Sequence, residues 1–165
     1  MINPENICLA CGLCCDGTLI GHVQLKQEEV PALSGIMDLE GDKENGFFLH
    51  PCQKYCEGCT IYQDRPVQCA SFKCGLLKSV EQGKTDYNSA LRSVEELKQR
   101  REGIEQSLTK SGIKLKSNSF YFKVVELEKH LRKESIHPTA KIKTLKTQLK
   151  ALNLFVGKSF GVLFY

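Results

Sequence analysis

The sequence predicts an α-rich α+β fold: an irregular, cysteine-loaded core with short strands and helices, followed by about three amphipathic helices. Three observations predict it. All nine cysteines of the 165-residue chain lie between Cys8 and Cys74. Long apolar stripes at helical spacing occur only beyond residue 85. Charge divides along the same line, with residues 1–78 carrying a net −4 and residues 79–165 a net +8. A hydrophobic share of 41% and a charged share of 25% exclude a disordered chain, a collagen-like chain and a membrane bundle. The expected organisation is a cysteine-cluster unit over 1–78 with a basic helical extension over 79–165 packed on it.

The elements follow in order. Thr18 to Val23 is a short extended run after the first cysteines. Gln27 to Leu33 reads as a short helix, with Glu28 and Glu29 at its positive N-terminal end and Pro31 tolerated only in its first turn. Ser34 to Gly46 is rich in glycine and acidic residues and reads as loop. Phe47 to His50 is a short apolar strand. Residues 51–74 lack periodicity, as expected where ligands rather than an apolar face fix the chain. Tyr87, Leu91, Val94, Leu97, Ile104 and Leu108 mark the first long helix, with Thr85 or Asp86 as N-cap, Gly112 as its close and Arg101 interrupting the stripe. Phe120, Val124, Leu127 and Leu131 mark a second helix, capped at Ser117 or Ser119. Pro138 stands where a third begins, with Ile142, Leu145, Leu149 and Leu152 inward and lysines 141, 143, 146 and 150 on its other faces. The apolar tail Phe160 to Tyr165 is expected to dock as a strand or core plug.

Met1 to Asn6 has neither a basic n-region nor an apolar h-region, and no apolar stretch is long enough to span a bilayer, so the chain reads as cytoplasmic with no membrane span. Thiols stay reduced there, and metal binding rather than disulfide formation becomes the expected purpose of the cysteines. The first group is Cys8, Cys11, Cys14 and Cys15; the second is Cys52, Cys56, Cys59, Cys69 and Cys74. Two intervening residues let two thiolates turn toward one ion, the knuckle of structural zinc sites, and the same spacing opens the run that holds iron–sulfur clusters. Neighbouring side chains diverge, so Cys14 and Cys15 are expected to serve different sites or different metals of one cluster. If the segment is helical, Cys8, Cys11 and Cys15 share an arc of roughly 60° and Cys14 points elsewhere. Two four-thiolate sites, or one multinuclear centre, follow as the alternatives. His22 and His50 lie near the groups and are read as non-ligands, since thiolates suffice.

These residues resemble a known family. Cys8 to Cys15 matches the signature CxxCGxCC, Gly12 included. Cys59 to Cys69, with Ile61, Tyr62, Arg65 and Pro66, matches its C-x-I-Y-x-x-R-P-x-x-C segment, and Phe72 and Cys74 follow as in its tail. Gln24 to Glu29 is similar to the strand-to-helix stretch after the first cluster. The chain thus resembles, over about residues 7–78, the CxxCxxCC family, described as a zinc- or iron-chelating domain and often labelled an iron–sulfur oxidoreductase; flagellin lysine N-methylases are similar in their cysteine motifs. The resemblance implies a ligand set of Cys8, Cys11, Cys14, Cys15, Cys52, Cys59, Cys69 and Cys74. It leaves Cys56 as a ninth thiol, either spare or a substitute for Cys52.

Eight thiolates and two divalent ions leave a charge of about −4, so Arg65 reads either as a compensating donor beside the sulfurs or as an ordinary arginine on a turn capped by Pro66, with Tyr62 as packing. The expected cofactor is zinc, about two ions, or an iron–sulfur or iron centre. The expected function is metal binding. The alternatives are an iron–sulfur-dependent oxidoreductase or methyltransferase-like enzyme, and a metal-organised module that binds nucleic acid or an acidic partner. No glycine-rich nucleotide loop or Ser-His-Asp order supports an enzyme assignment. Nucleic acid is the less favoured partner, because the basic helices also carry Glu95, Glu96, Glu102 and Glu105 and show no aromatic interleaving.

Overall fold

The computed structural model of the chain describes residues 5–133 and 139–164. Helix α1, Glu5–Cys11, ends at Gly12, whose φ of 67° only glycine adopts cheaply. The chain then turns tightly, with the N–H groups of Thr18 and Leu19 both donating to the Leu13 carbonyl at 3.1 and 2.9 Å. Strand β1, His22–Gln24, pairs antiparallel with β2, Phe47–Leu49, setting Val23 opposite Phe48. Alternation along each strand turns these two residues inward, where they meet Leu25, Val30, Leu33 and Met37 in a small core. The connection between the strands holds a 3-10 turn, Gln27–Glu29, and helix α2, Val30–Ser34, with Pro31 in its first turn. The expected single helix over 27–33 is therefore two short pieces, and the strand expected over 47–50 stops at Leu49. Helices α3, Val67–Ser71, and α4, Gly75–Glu81, follow.

The three long helices form where the stripes predict them. Helix α5, Tyr87–Ser111, is capped by Asp86, whose carboxylate accepts from the Ser89 N–H at 2.9 Å, and it closes at Gly112 with φ 74°. Helix α6, Phe120–Leu131, is capped by Ser119. Helix α7, Ala140–Phe160, is capped by Thr139; Pro138 lies outside the described residues. Its buried stripe runs through Val156 to Phe160, two turns beyond Leu152. Leu97 of α5 and Leu145, Leu149 and Leu152 of α7 are sealed from solvent along the α5–α7 contact, each such leucine contributing about 1.5–3 kcal/mol. In the tail, Phe164 is a core plug against Phe120 and Tyr121; Tyr165 lies outside the described residues. No helix among the described residues is long and apolar enough to cross a membrane.

The larger core does not divide at residue 78. Ile7, Leu13, Leu19, Leu76 and Leu77 pack into the same cluster as the stripes of α5, α6 and α7. At Gly75 the approach is backbone to backbone, since an added Cβ would stand 2.9 Å from the Phe160 carbonyl carbon. Arg101 explains the interruption in the α5 stripe: its Nη1 donates to Asp16 Oδ2 at 2.7 Å and to the buried Thr18 hydroxyl at 2.8 Å. The lysines of α7 take no such part. Lys141, Lys143, Lys146 and Lys150 are all exposed.

Candidate metal centre

The turn after α1, the loop after β2 and helices α3 and α4 surround a cavity of about 220 Å³. Cys8, Cys11, Cys14, Cys15, Cys52, Cys59, Cys69 and Cys74 all line it. Cys56 does not line it and is exposed. The remaining wall is largely apolar, with Leu19, Ile20, Phe48, Ile61 and Phe72.

The thiols act on one another in two sets. Burial, then repulsion from Cys74 and Cys8, pushes Cys11 up to about 12. Cys14 is raised well above the usual thiol value by burial, then by Cys11 and Cys74. Cys15, adjacent in sequence, is pushed up to about 12 by burial and then by Cys59, Cys52 and Cys69. Cys69 rises to about 12 through burial and repulsion from Cys52 and Cys59. Cys8, Cys11, Cys14 and Cys74 thus form one group and Cys15, Cys52, Cys59 and Cys69 another, joined through the Cys14–Cys15 pair. The helical premise that set Cys15 beside Cys8 and Cys11 fails, because α1 stops at Gly12 and the chain reverses. It is Cys14 that joins them and Cys15 that faces the second segment.

Local structure accounts for the placement. A side chain at Gly12 would overlap the Tyr55 hydroxyl, so the bare glycine lets the second cysteine segment lie on the first. The Cys52 N–H donates to the Cys15 carbonyl at 2.8 Å. Cys74 is the N-cap of α4, its sulfur accepting from the Leu77 N–H at 3.4 Å. Helix α3, which carries Cys69, is held from outside: Glu29 Oε1 accepts from the Val67 N–H at 2.7 Å while its Oε2 accepts from the Lys26 N–H at 2.8 Å. Gln68 Oε1 accepts from the Gln24 N–H at 2.6 Å. Beyond Gly12 in the signature, these supports leave no local sequence pattern, whereas the charge of Arg101 in an apolar stripe marks the Asp16 turn.

Arg65 lies with its guanidinium carbon 3.7 Å from the Tyr62 ring centroid, and its Nη1 donates to the Tyr62 carbonyl at 2.6 Å. Its charge acts on Cys69, lowering that thiol against the larger effects of burial and thiolate repulsion. The two histidines differ. His22 stacks on Phe122 and does not line the cavity, whereas His50 is buried, lines it, and hydrogen-bonds the Cys15 backbone. Burial lowers His50 to about 4, which keeps it neutral, and its Nδ1 has no partner among the described residues.

As the side chains stand, no three His, Cys, Asp or Glu residues among the described ones are gathered closely enough to hold a metal ion. The donor set nevertheless has the chemistry and number for two four-thiolate sites, in one cavity and in two electrostatic groups of four. Fold and cavity together define an α-rich α+β chain built around a shared thiol pocket. No family model, curated protein or solved structure matches the chain.

Proposed function

We propose that the chain is a metal-binding protein of the CxxCxxCC type that holds two metal ions. Cys8, Cys11, Cys14 and Cys74 would hold one; Cys15, Cys52, Cys59 and Cys69 would hold the other. The observation that carries the reading is the gathering of the thiols: eight line one cavity while Cys56 stays outside it, with Cys11 and Cys14 influenced by Cys8 and Cys74, and Cys15 and Cys69 by Cys52 and Cys59. Burial raises the thiols of Cys11, Cys14, Cys15, Cys52 and Cys69 above the usual value, so metal binding there would release protons and supply folding free energy. Zinc would give closed structural sites, and iron with sulfide a redox-capable centre. Arg65 offsets part of the charge of the second set, and the Cys15 carbonyl, accepting from Cys52 and bonded by His50, fixes the turn between the sets. A reducing compartment such as the cytoplasm keeps the thiols available.

Elemental analysis and a visible spectrum of protein purified without oxygen test this. About two zinc per chain and no visible band support two closed sites. Iron, acid-labile sulfide and a bleachable band support the second reading, an oxidoreductase or methyltransferase-like enzyme, for which the apolar cavity wall offers a sheltered substrate surface. Folded protein with neither metal overturns the proposal. The alternative of a module that binds nucleic acid or an acidic partner draws on the exposed α7 lysines, and salt-dependent retention on nucleic acid tests it.

A further inference from the structure

Helix α7 carries five lysines, Lys141, Lys143, Lys146, Lys150 and Lys158, and no Asp or Glu. Its neighbours are balanced: α5 sets four glutamates against five basic residues, and α6 two glutamates against two lysines and His130. The ion pairs of those helices reach Asp16, Glu96, Glu105 and Glu128, whereas none among the described residues includes an α7 lysine. Lys143, Lys146 and Lys150 follow one another at spacings of three and four, where like charges repel. At about 100° per residue, Lys143, Lys146, Lys150, Leu154 and Lys158 share an arc of about 120° turned away from the buried stripe, and span about 22 Å. All five are exposed. Leu154 is 68% exposed, and Leu163, 71% exposed, lies over the bare Gly157 one turn further on, its Cδ2 3.7 Å from where a Cβ would stand. Beside Lys146, Lys150 and Leu154, Arg132 and Glu128 at the end of α6 complete an open groove of about 550 Å³. Glu128, the one carboxylate on its wall, is paired with Arg132 at 3.7 Å.

We propose that this face of α7 docks on an anionic lipid surface, with lipid phosphates received among Arg132, Lys146 and Lys150 and with Leu154 and Leu163 entering the boundary beneath the headgroups. The inference stands apart from the metal reading, since none of these residues lines the thiol cavity. Uncompensated positive charge calls for an anion, and the two leucines select its kind. An exposed leucine gains from an apolar medium, which a phosphate backbone does not offer, and no aromatic residue stands in the arc to stack on a base. The leucines sit at one end of the stripe rather than along it, so they form no apolar seam for a partner helix. A straight row of lysines suits a plane of headgroups: the stems lie against apolar surface while the ammonium groups stay in the polar layer. The opposite face of α7 is committed to the core, so the helix rests on the surface and does not insert.

The experiment floats the full chain with vesicles of phosphatidylcholine alone, or of phosphatidylcholine with about one third phosphatidylserine. The expected result is binding to the second kind only, weakened at roughly 0.5 M salt. Each lysine near such a surface contributes about a fivefold gain, so K146Q/K150Q is expected to weaken binding about 30-fold. L154S/L163S is expected to weaken it at least about tenfold. All four side chains are exposed, so circular dichroism and melting are expected to stay at the parent values. Absence of vesicle binding, equal binding to both kinds, or variants that bind like the parent overturn the inference. Capture by polyuridylate or polyglutamate without vesicle binding also overturns it, and makes the partner a nucleic acid or an acidic protein.

Discussion

Replacing Arg101 with methionine keeps the aliphatic stem of the side chain and removes its charge. The guanidinium is 29% exposed and its partner Asp16 18%, so the pair is shielded enough to count and wet enough to be discounted. Two bonds are lost, one to the Asp16 carboxylate and one to the sealed Thr18 hydroxyl. Thr18 has no exposure to water, so its oxygen loses a donor that solvent does not replace, while Asp16 keeps the Thr18 N–H at 2.9 Å. A charge-assisted bond partly screened, together with an orphaned buried hydroxyl, costs about 1.5–3 kcal/mol. For a chain of this size that is a melting-point drop of roughly 3–12 °C. Urea unfolding at fixed metal content, in a double-mutant cycle of R101M with D16N, reads it directly. A loss below about 0.5 kcal/mol, or strictly additive single effects, refutes the claim that this contact ties α5 to the cysteine turn.

Gly12→Ala meets both the positive φ and the Tyr55 ring, and is expected to cost at least about 1 kcal/mol and to lower metal stoichiometry, read by denaturation and elemental analysis. Cys14→Ser and Cys15→Ser are each expected to lose one metal equivalent while Cys56→Ser loses none; equal losses from all three contradict the division into two sets. Glu29→Ala removes the carboxylate that accepts from the Val67 and Lys26 N–H groups, exposed bonds that water partly replaces, and is expected to cost about 0.5–1.5 kcal/mol, appearing as faster proteolysis at 60–70. The Glu126 carboxyl is held below its usual range chiefly by the Lys116 N–H and by Ser117. Its contribution to stability is therefore complete above the ordinary carboxyl range and lost as pH falls through the lowered value, so Glu126→Gln should flatten that part of the acid unfolding curve.

Much of the helical half was legible because a single physical signal, the 3.6-residue stripe, specifies a helix that buries one face. Leu97, Leu127 and Leu149 fall where that signal puts them. The caps were legible to within a choice of residues, Asp86 and Ser119 being one of two options each. The extent of α7 was not, because Gly157 and Lys158 look like an end while Phe160 still fills a buried position. In the front half no periodic face exists to be read. The cysteine spacing identified the candidate set, but its division depended on where the chain turns, and that is decided by Gly12 against Tyr55, two residues 43 apart in sequence. The braces on α3 through Glu29 and Gln24 are likewise long-range hydrogen bonds between ordinary polar residues, which leave no local pattern.

The close seat of Gly75 against Phe160 and Gly161 has a consequence for the order of events during synthesis. The second group of thiols and the small core beside it lie within the segment from Cys15 to Cys69, and can assemble soon after that stretch leaves the ribosome. The first group needs Cys74 in place, and Cys74 caps a helix whose first residue rests on the far end of α7. Roughly 90 more residues must be made before that surface exists, a delay of roughly 5–20 s at common translation rates. Until α7 is made, the helix that Cys74 caps lacks that backing, so the proposed first set of Cys8, Cys11, Cys14 and Cys74 is expected to settle after the second.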